Sequence, residues 1–401
     1  MKIIKKIHTM SLIYLFCCSL FAQINIKSVK LIQIPEKGFI NNPVWSIDSK
    51  QIAFDFLGFK EQTNIMIYRI GANYASKRIL KTNVNSNSII QKSTEISSLL
   101  PKWSDKENST LYFLYDQYKP RYIGKLKNIN DEKLPISVSS IESLYNSIDQ
   151  HSKISEYHTV NLKDEEFLFL LQQNSTDMIH YTDQYSELAE LPKLNMWIKT
   201  GEVVSSFLFS NNTQKMIICK GQEDSYSFIL GNFQIEDGSL ESIDYTEISI
   251  PNSEDGILDE PSFNPVNSKK IAYLKMIRNR NGGHDYHLYI YTLGTNNNNF
   301  LIDNLYLNED NKGTRPNSTS YVWHPGGDYI FYITTDAKRN VAYIDLKNLK
   351  HPKVKILETG IEFAEQISIS PNGKYLAVMT QIASEEDKGA LGQLYLVELS
   401  Y

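Results

Sequence analysis

The 401-residue sequence predicts an all-β fold: a single closed β-propeller of four-stranded antiparallel blades. Three observations predict it. A short phrase returns seven times, strands of alternating apolar and polar residues follow each return, and a spare strand ahead of the first phrase matches one missing after the last. In every phrase an apolar or aromatic residue closes one strand, a polar turn follows, and an apolar strand leaves the turn. Self-similarity at such a period marks a ring or solenoid of repeated sheets.

The central residues Trp45, Trp103, Val160, Phe209, Phe263, Trp323 and Ile369 lie 58, 57, 49, 54, 60 and 46 residues apart, enough for one blade each. The clearest copies are Pro43-Val-Trp-Ser-Ile-Asp-Ser-Lys-Gln-Ile-Ala-Phe54, Pro261-Ser-Phe-Asn-Pro-Val-Asn-Ser-Lys-Lys-Ile-Ala-Tyr273 and Ile367-Ser-Ile-Ser-Pro-Asn-Gly-Lys-Tyr-Leu-Ala-Val378. The third copy, His158 to Phe169, is the faintest, so seven blades is the preferred count and six the alternative. Third strands follow at 64–70, 121–126, 226–233, 287–292, 341–345 and 393–399, and fourth strands at 76–80, 245–250 and 354–357. All alternate as half-buried strands do. The last phrase has no fourth strand, whereas Ile26–Ile34 precedes the first. Joining the two predicts that the N-terminal strand completes the last blade and leaves no open edge. Asp48-Ser49, Gly326-Gly327 and Asn372-Gly373 sit where a tight hairpin needs positive φ or a side chain that bonds its own backbone. The tryptophans before these turns are expected to pack between blades.

Composition narrows the function. With 25 Tyr and 17 Phe the chain suits pleated sheets, whose faces pack flat rings. Residues 1–22 have the form of a signal peptide: lysines at 2, 5 and 6, an apolar run from Met10 to Phe21, and a cleavage point near Ala22-Gln23. Residues 23–401 are then one exported domain, periplasmic or secreted, with no integral membrane span. Without the leader the formal charge moves from -5 to -8. An acidic chain is a poor match for nucleic acid or an anionic membrane. Cys219 is the only cysteine left, which excludes a disulfide framework and a cysteine-held metal. The Asn-x-Thr sequons at Asn108, Asn174, Asn211 and Asn317 are chance matches in an Asn-rich chain.

The phrases resemble the Pro-x-Trp-Ser-Pro-Asp-Gly-x-x-Ile-Ala-Phe repeat of TolB-like β-propellers, which also occurs in the propellers of prolyl-oligopeptidase-type peptidases and of oligogalacturonate lyases. The resemblance covers residues 24–401, although Ile47 and Asp105 stand where the repeat has Pro. It implies an exported bacterial propeller and says little about its task.

No nucleophile elbow, His-Glu-x-x-His helix or phosphate-binding loop occurs in the sequence. Neither catalytic residues nor a cofactor are therefore assigned. In an antiparallel blade the loops from second to third strand and those between blades share one rim, and the tight turns share the other. The long charged loops fall on the first rim, at 59–62, 116–121, 222–224, 253–260, 278–285, 308–315, 335–339 and 384–388, while the opposite rim is expected to carry short turns. Loops on a rigid scaffold are where function concentrates. The expected binding residues are Arg278, Arg280, His284, Asp285, Arg315, Lys338 and Arg339, facing an envelope protein or peptide across the channel mouth of a monomeric ring. His284, His287 and His324 form the only metal-like set. His284 and His287 are three residues apart on an extended strand and point to opposite faces, so no metal is assigned. The competing reading is a propeller enzyme, an oligogalacturonate-lyase-like carbohydrate lyase or a lactonase-like hydrolase.

Overall fold

The computed structural model describes residues 24–401 except 36, 59–62, 79–97, 116–121, 128–137, 141–152, 174–177, 183–188, 211–213, 223–224, 237–238, 252–255, 308–320, 350–351 and 384–389. Seven four-stranded antiparallel sheets form a seven-bladed propeller. From the axis outwards, blade 1 is β2 (Gly38–Trp45), β3 (Gln51–Gly58), β4 (Thr63–Arg69) and β5 (Ser76–Arg78). Blade 2 is β6 (Ser98–Trp103), β7 (Leu111–Tyr115), β8 (Tyr122–Leu126) and β9 (Val138–Ser140). Blade 3 is β10 (Lys153–Leu162), β11 (Glu165–Gln173), β12 (Met178–Thr182) and β13 (Ala189–Glu190), and blade 4 is β14 (Val203–Phe209), β15 (Lys215–Gln222), β16 (Ser225–Glu236) and β17 (Ser239–Ile248). Blade 5 is β18 (Ile257–Phe263), β19 (Lys270–Arg278), β20 (His284–Thr292) and β21 (Asn298–Ile302), and blade 6 is β22 (Tyr321–Trp323), β23 (Tyr329–Ile333), β24 (Val341–Asp345) and β25 (Lys353–Ile356). Blade 7 combines β26 (Ala364–Ile369), β27 (Tyr375–Ala383) and β28 (Ala390–Ser400) with β1 (Asn25–Ile32) as its outermost strand.

The predicted closure is present. β1 runs antiparallel to β28 from Asn25↔Ser400 to Ile32↔Leu394, with one bulge after Ile26. Blade 3 is a full blade despite its faint sequence, and its turn explains the faintness. Leu162 pairs with Glu165, so only Lys163 and Asp164 make the turn, both with positive φ (49° and 68°). A two-residue turn of this kind needs none of the longer Ser-Pro-Asp-Gly chemistry.

That chemistry is visible where the phrase is strong. The Ser46 hydroxyl donates to Asp48 Oδ1 at 2.7 Å and accepts the Gln51 N–H at 2.9 Å. Ser370 repeats the arrangement with Asn372 and Tyr375. The third turn residue takes positive φ at Ser49 (61°), Gly327 (75°) and Gly373 (73°). The repeated Pro has its own reason. Pro43, Pro101 and Pro261 each follow an inner-strand residue with positive φ (Asn42, Leu100, Glu260), inside a bulge where the ladder is interrupted. A residue without an N–H loses nothing there.

Trp45, Trp103 and Trp323 are buried, as expected. Each indole N–H donates to a carbonyl of the preceding blade's inner strand: Trp45 to Ser368 at 3.1 Å, Trp103 to Val44 at 3.2 Å, and Trp323 to Ser262 at 3.4 Å. The apolar core lies between blades. Ile52, Phe54 and Met66 of blade 1 pack against Ala377, Met379 and Leu394 of blade 7, and equivalent clusters join the other blades. Among the described residues no helix is long and apolar enough to cross a membrane.

Candidate functional site

Two polar assemblies stand out, one on the loop rim and one in the inner strands. On the rim, β19 and β20 are joined by a hairpin closed by one side chain. Asn279 Oδ1 accepts the backbone N–H of Asn281 (3.1 Å) and of Gly283 (2.9 Å), and its amide donates to Asp285 Oδ1 at 3.2 Å. Backbone bonds between Asn279 and Gly283 complete the turn. This hairpin holds four of the seven expected binding residues. Asp285 is part of its closure. Arg278, Arg280 and His284 are exposed and make no side-chain hydrogen bond or ion pair with another described residue. Two guanidiniums and an imidazole are thus presented on a stiff turn.

The loop between β23 and β24 is built differently. Asp336 accepts bonds from the Thr334 hydroxyl (2.7 Å) and the Lys338 N–H (2.9 Å), which hold its carboxyl below the usual range. Lys338 pairs with Glu362 at 2.7 Å in the open. Arg339 is half-buried, forms an ion pair with Glu365, donates to the Tyr306 hydroxyl at 2.8 Å, and lies over the Tyr306 ring at 4.9 Å. Tyr306 donates in turn to Glu365 Oε2 at 2.7 Å, and burial followed by the Glu365 charge pushes its pKa up to about 12. Both cations are therefore taken up in stitching blade 6 to blade 7. Arg315 lies outside the described residues, as do the loops at 59–62, 116–121, 308–315 and 384–388 and parts of those at 222–224 and 253–260.

The histidines do not converge. His284 begins β20 on the loop rim, whereas His324 lies in the turn after β22 on the opposite rim, where its Nδ1 accepts the Gly326 N–H at 3.0 Å. His287 faces Phe300, ring centroids 6.1 Å apart. Among the described residues no three His, Cys, Asp or Glu side chains are grouped to hold an ion.

The second assembly was not legible as a site in the sequence. Lys102 on β6 places its Nζ 3.0 Å from His158 Nδ1 on β10, and His158 Nε2 lies 2.7 Å from Glu156 Oε1 on the same strand. Glu156 Oε2 accepts the Phe207 N–H of β14 at 3.3 Å. An ammonium can only donate, so Nδ1 is the acceptor and Nε2–H donates to the carboxylate. Three inner strands thus share one chain of polar groups. Burial pulls the Lys102 amine down to about 8 against the raising effect of Glu156 and Asp105, and keeps His158 well below its ordinary value. Nearby Asp55 accepts bonds from Asn42 Nδ2 (2.7 Å) and the Leu100 N–H (2.8 Å), yet burial raises its pKa to about 7. The only advance signal was the pair of residue types. Where other phrases carry Val44, Leu208, Ser262, Val322 or Ser368, the second carries Lys102.

No protein-family model matches the chain, and no curated relative matches it. Solved structures do. The chain is similar to an oligogalacturonate lyase in complex with manganese, with a TM-score of 0.56, 11% identity, and 94% of this chain and 98% of that one covered. It is similar to a Mycobacterium tuberculosis puromycin-hydrolysing peptidase, with a TM-score of 0.56, 11% identity and 88% of this chain covered; it spans about half (51%) of that protein. A chain of the mitotic checkpoint complex is also similar, with a TM-score of 0.51, 10% identity and 94% of each chain covered. Two of these are enzymes and one belongs to an assembly. Their shared feature with this chain is the ring itself, a fold that hosts unrelated tasks.

Proposed function

We propose that the protein is an exported, non-catalytic β-propeller of the bacterial cell envelope, TolB-like in its repeat, which binds a protein or peptide on its loop rim. The leader-like residues 1–22 support export to the periplasm or beyond. The observation that carries the binding reading is the β19–β20 hairpin. Its backbone is stiffened by Asn279, yet Arg278, Arg280 and His284 have no partner among the described residues. Neighbouring cations behave oppositely, since Lys338 and Arg339 are taken up by Glu362 and Glu365. Cations held rigid and left open on one hairpin suit an acidic segment of a partner. Such charges act through encounter rate and orientation more than through raw affinity.

The test is capture from envelope extract with residues 23–401, run beside Arg278→Glu/Arg280→Glu and beside Lys338→Glu. The double reversal is expected to lose the captured protein, and Lys338→Glu to keep it. Equal capture by all three would sink the reading. The competing enzyme reading predicts unsaturated product from oligogalacturonate together with a bound divalent metal. Finding both would replace the binding proposal.

A further inference from the structure

The Lys102–His158–Glu156 chain is unused by the binding reading, and its layout points beyond a structural bridge. A buried ammonium is held most firmly by direct contact with a carboxylate. Here the imidazole of His158 stands between them: 3.0 Å from Lys102 Nζ on one side and 2.7 Å from Glu156 on the other. That order gives up direct charge contact and gains a path for a proton. Every link is held from outside the chain. Glu156 is fixed by the Phe207 N–H, His158 is set edge-on against the Phe207 ring at 4.8 Å, and Tyr157 donates its hydroxyl to the Leu100 carbonyl and puts its ring 5.5 Å from Lys102 Nζ. Lys102 has three N–H donors and makes one hydrogen bond to a described residue, the one to His158. Lys102 and the His158 side chain keep 9% and 10% of their surface exposed, so the cluster between blades 2 and 3 is not sealed from solvent.

We propose that Lys102 is a nucleophilic amine between the inner strands of blades 2 and 3 that holds a small aldehyde or ketone reversibly as an imine, with His158 and Glu156 carrying its proton. The ammonium gives a proton to His158 Nδ1 while the Nε2 proton passes to Glu156, leaving a free amine. The amine lone pair forms a C–N bond to the carbonyl carbon and the C=O π pair moves to oxygen. The resulting carbinolamine, after proton transfer from nitrogen to oxygen, takes a further proton back along the relay as its C–O bond breaks. Water leaves, and the product is the iminium with Glu156 again a carboxylate. One carbonyl compound is consumed and one water released; no oxidant or reductant takes part. Hydrolysis by the reverse path frees the ligand. A desolvated lysine beside a proton acceptor is the arrangement that such chemistry requires.

The experiment treats the folded full chain with propanal and cyanoborohydride at about pH 7.5 and follows each lysine by peptide mapping. Because its free-amine fraction is larger, Lys102 is expected to be alkylated about tenfold faster than exposed Lys50. His158→Gln is expected to slow Lys102 about tenfold and leave Lys50 unchanged, a difference that a purely structural lysine does not produce. Lys102 reacting no faster than Lys50 in the native chain, or at an unchanged rate in a folded His158→Gln, overturns the proposal. If that variant does not fold, Glu156→Gln takes its place, and the Lys102-to-Lys50 ratio in the native chain decides on its own.

Discussion

Replacing Arg339 by alanine tests whether a rim loop rich in charge is structural. Arg339 and Lys338 are adjacent in sequence, both are cations, and both face glutamates at the entry to blade 7, Glu362 just before β26 and Glu365 within it. Their surroundings differ. The Arg339–Glu365 side chains are 23% and 7% exposed, whereas those of Lys338 and Glu362 are 64% and 45% exposed. Truncating Arg339 removes the guanidinium from a buried Glu365 carboxylate that the Tyr306 hydroxyl also serves as a donor. Breaking a buried pair from one side costs about 3–5 kcal/mol. With an unfolding entropy of roughly 2.1 cal/mol/K per residue, that is a fall in Tm of about 4–6 °C for a ring of this size. Lys338→Ala should leave Tm unchanged within error, since an open pair is screened by water and salt. Scanning calorimetry of both variants beside the parent, at low and at high salt, reads the contrast. Arg339→Ala melting within one degree of the parent, or Lys338→Ala falling as far, would refute the assignment of Arg339 to the blade 6–7 stitch.

Other outcomes follow from the same geometry. Since burial keeps the folded His158 pKa well below 6.5, the unfolded chain takes up that proton first as pH falls, and stability from the neutral imidazole is lost below about 6.5. The stability advantage of the parent over His158→Gln should therefore shrink from about pH 7 to pH 5, by up to about 1.4 kcal/mol per pH unit, in urea melts at each pH. A constant gap would refute it. Gly373→Ala forces a Cβ onto a residue with φ of +73° and into His324 Nε2; a loss of about 1–3 kcal/mol is expected in denaturant melts. Deleting residues 24–33 strips β1 from β28 and bares an edge strand; size-exclusion chromatography should show oligomers, and a clean monomer would speak against edge protection by β1.

The ring was legible because its signal is local and repeated. Several turns display their own reason, Ser46 with Asp48 or Ser370 with Asn372, and a period of some 55 residues adds them up. The closure was legible by counting strands. What the sequence hid was pairing between blades. Arg339 reads as an open rim cation until Glu365, 26 residues on, is seen to fold back beneath it. Lys102 lies more than fifty residues from Glu156 and His158, in the preceding blade, and meets them only when the inner strands are brought side by side. A third copy that had lost its turn motif hid a regular blade, because two residues with positive φ replaced the longer turn.

The pairing of Asn25 with Ser400 also sets an order of events. A strand translated first can be placed only after the last strands exist, so the final blade cannot be completed while the chain is still emerging. For a structureless chain, bringing together ends about 370 residues apart costs about 5 kcal/mol in loop entropy. Once the intervening blades have curled round, most of that distance is already gone. The ring therefore assembles as an open arc whose two ends carry unpaired strand edges, and the closing step is short in distance but last in time. Until then the nascent protein is exposed to edge-to-edge association, the interval in which a chaperone has something to hold.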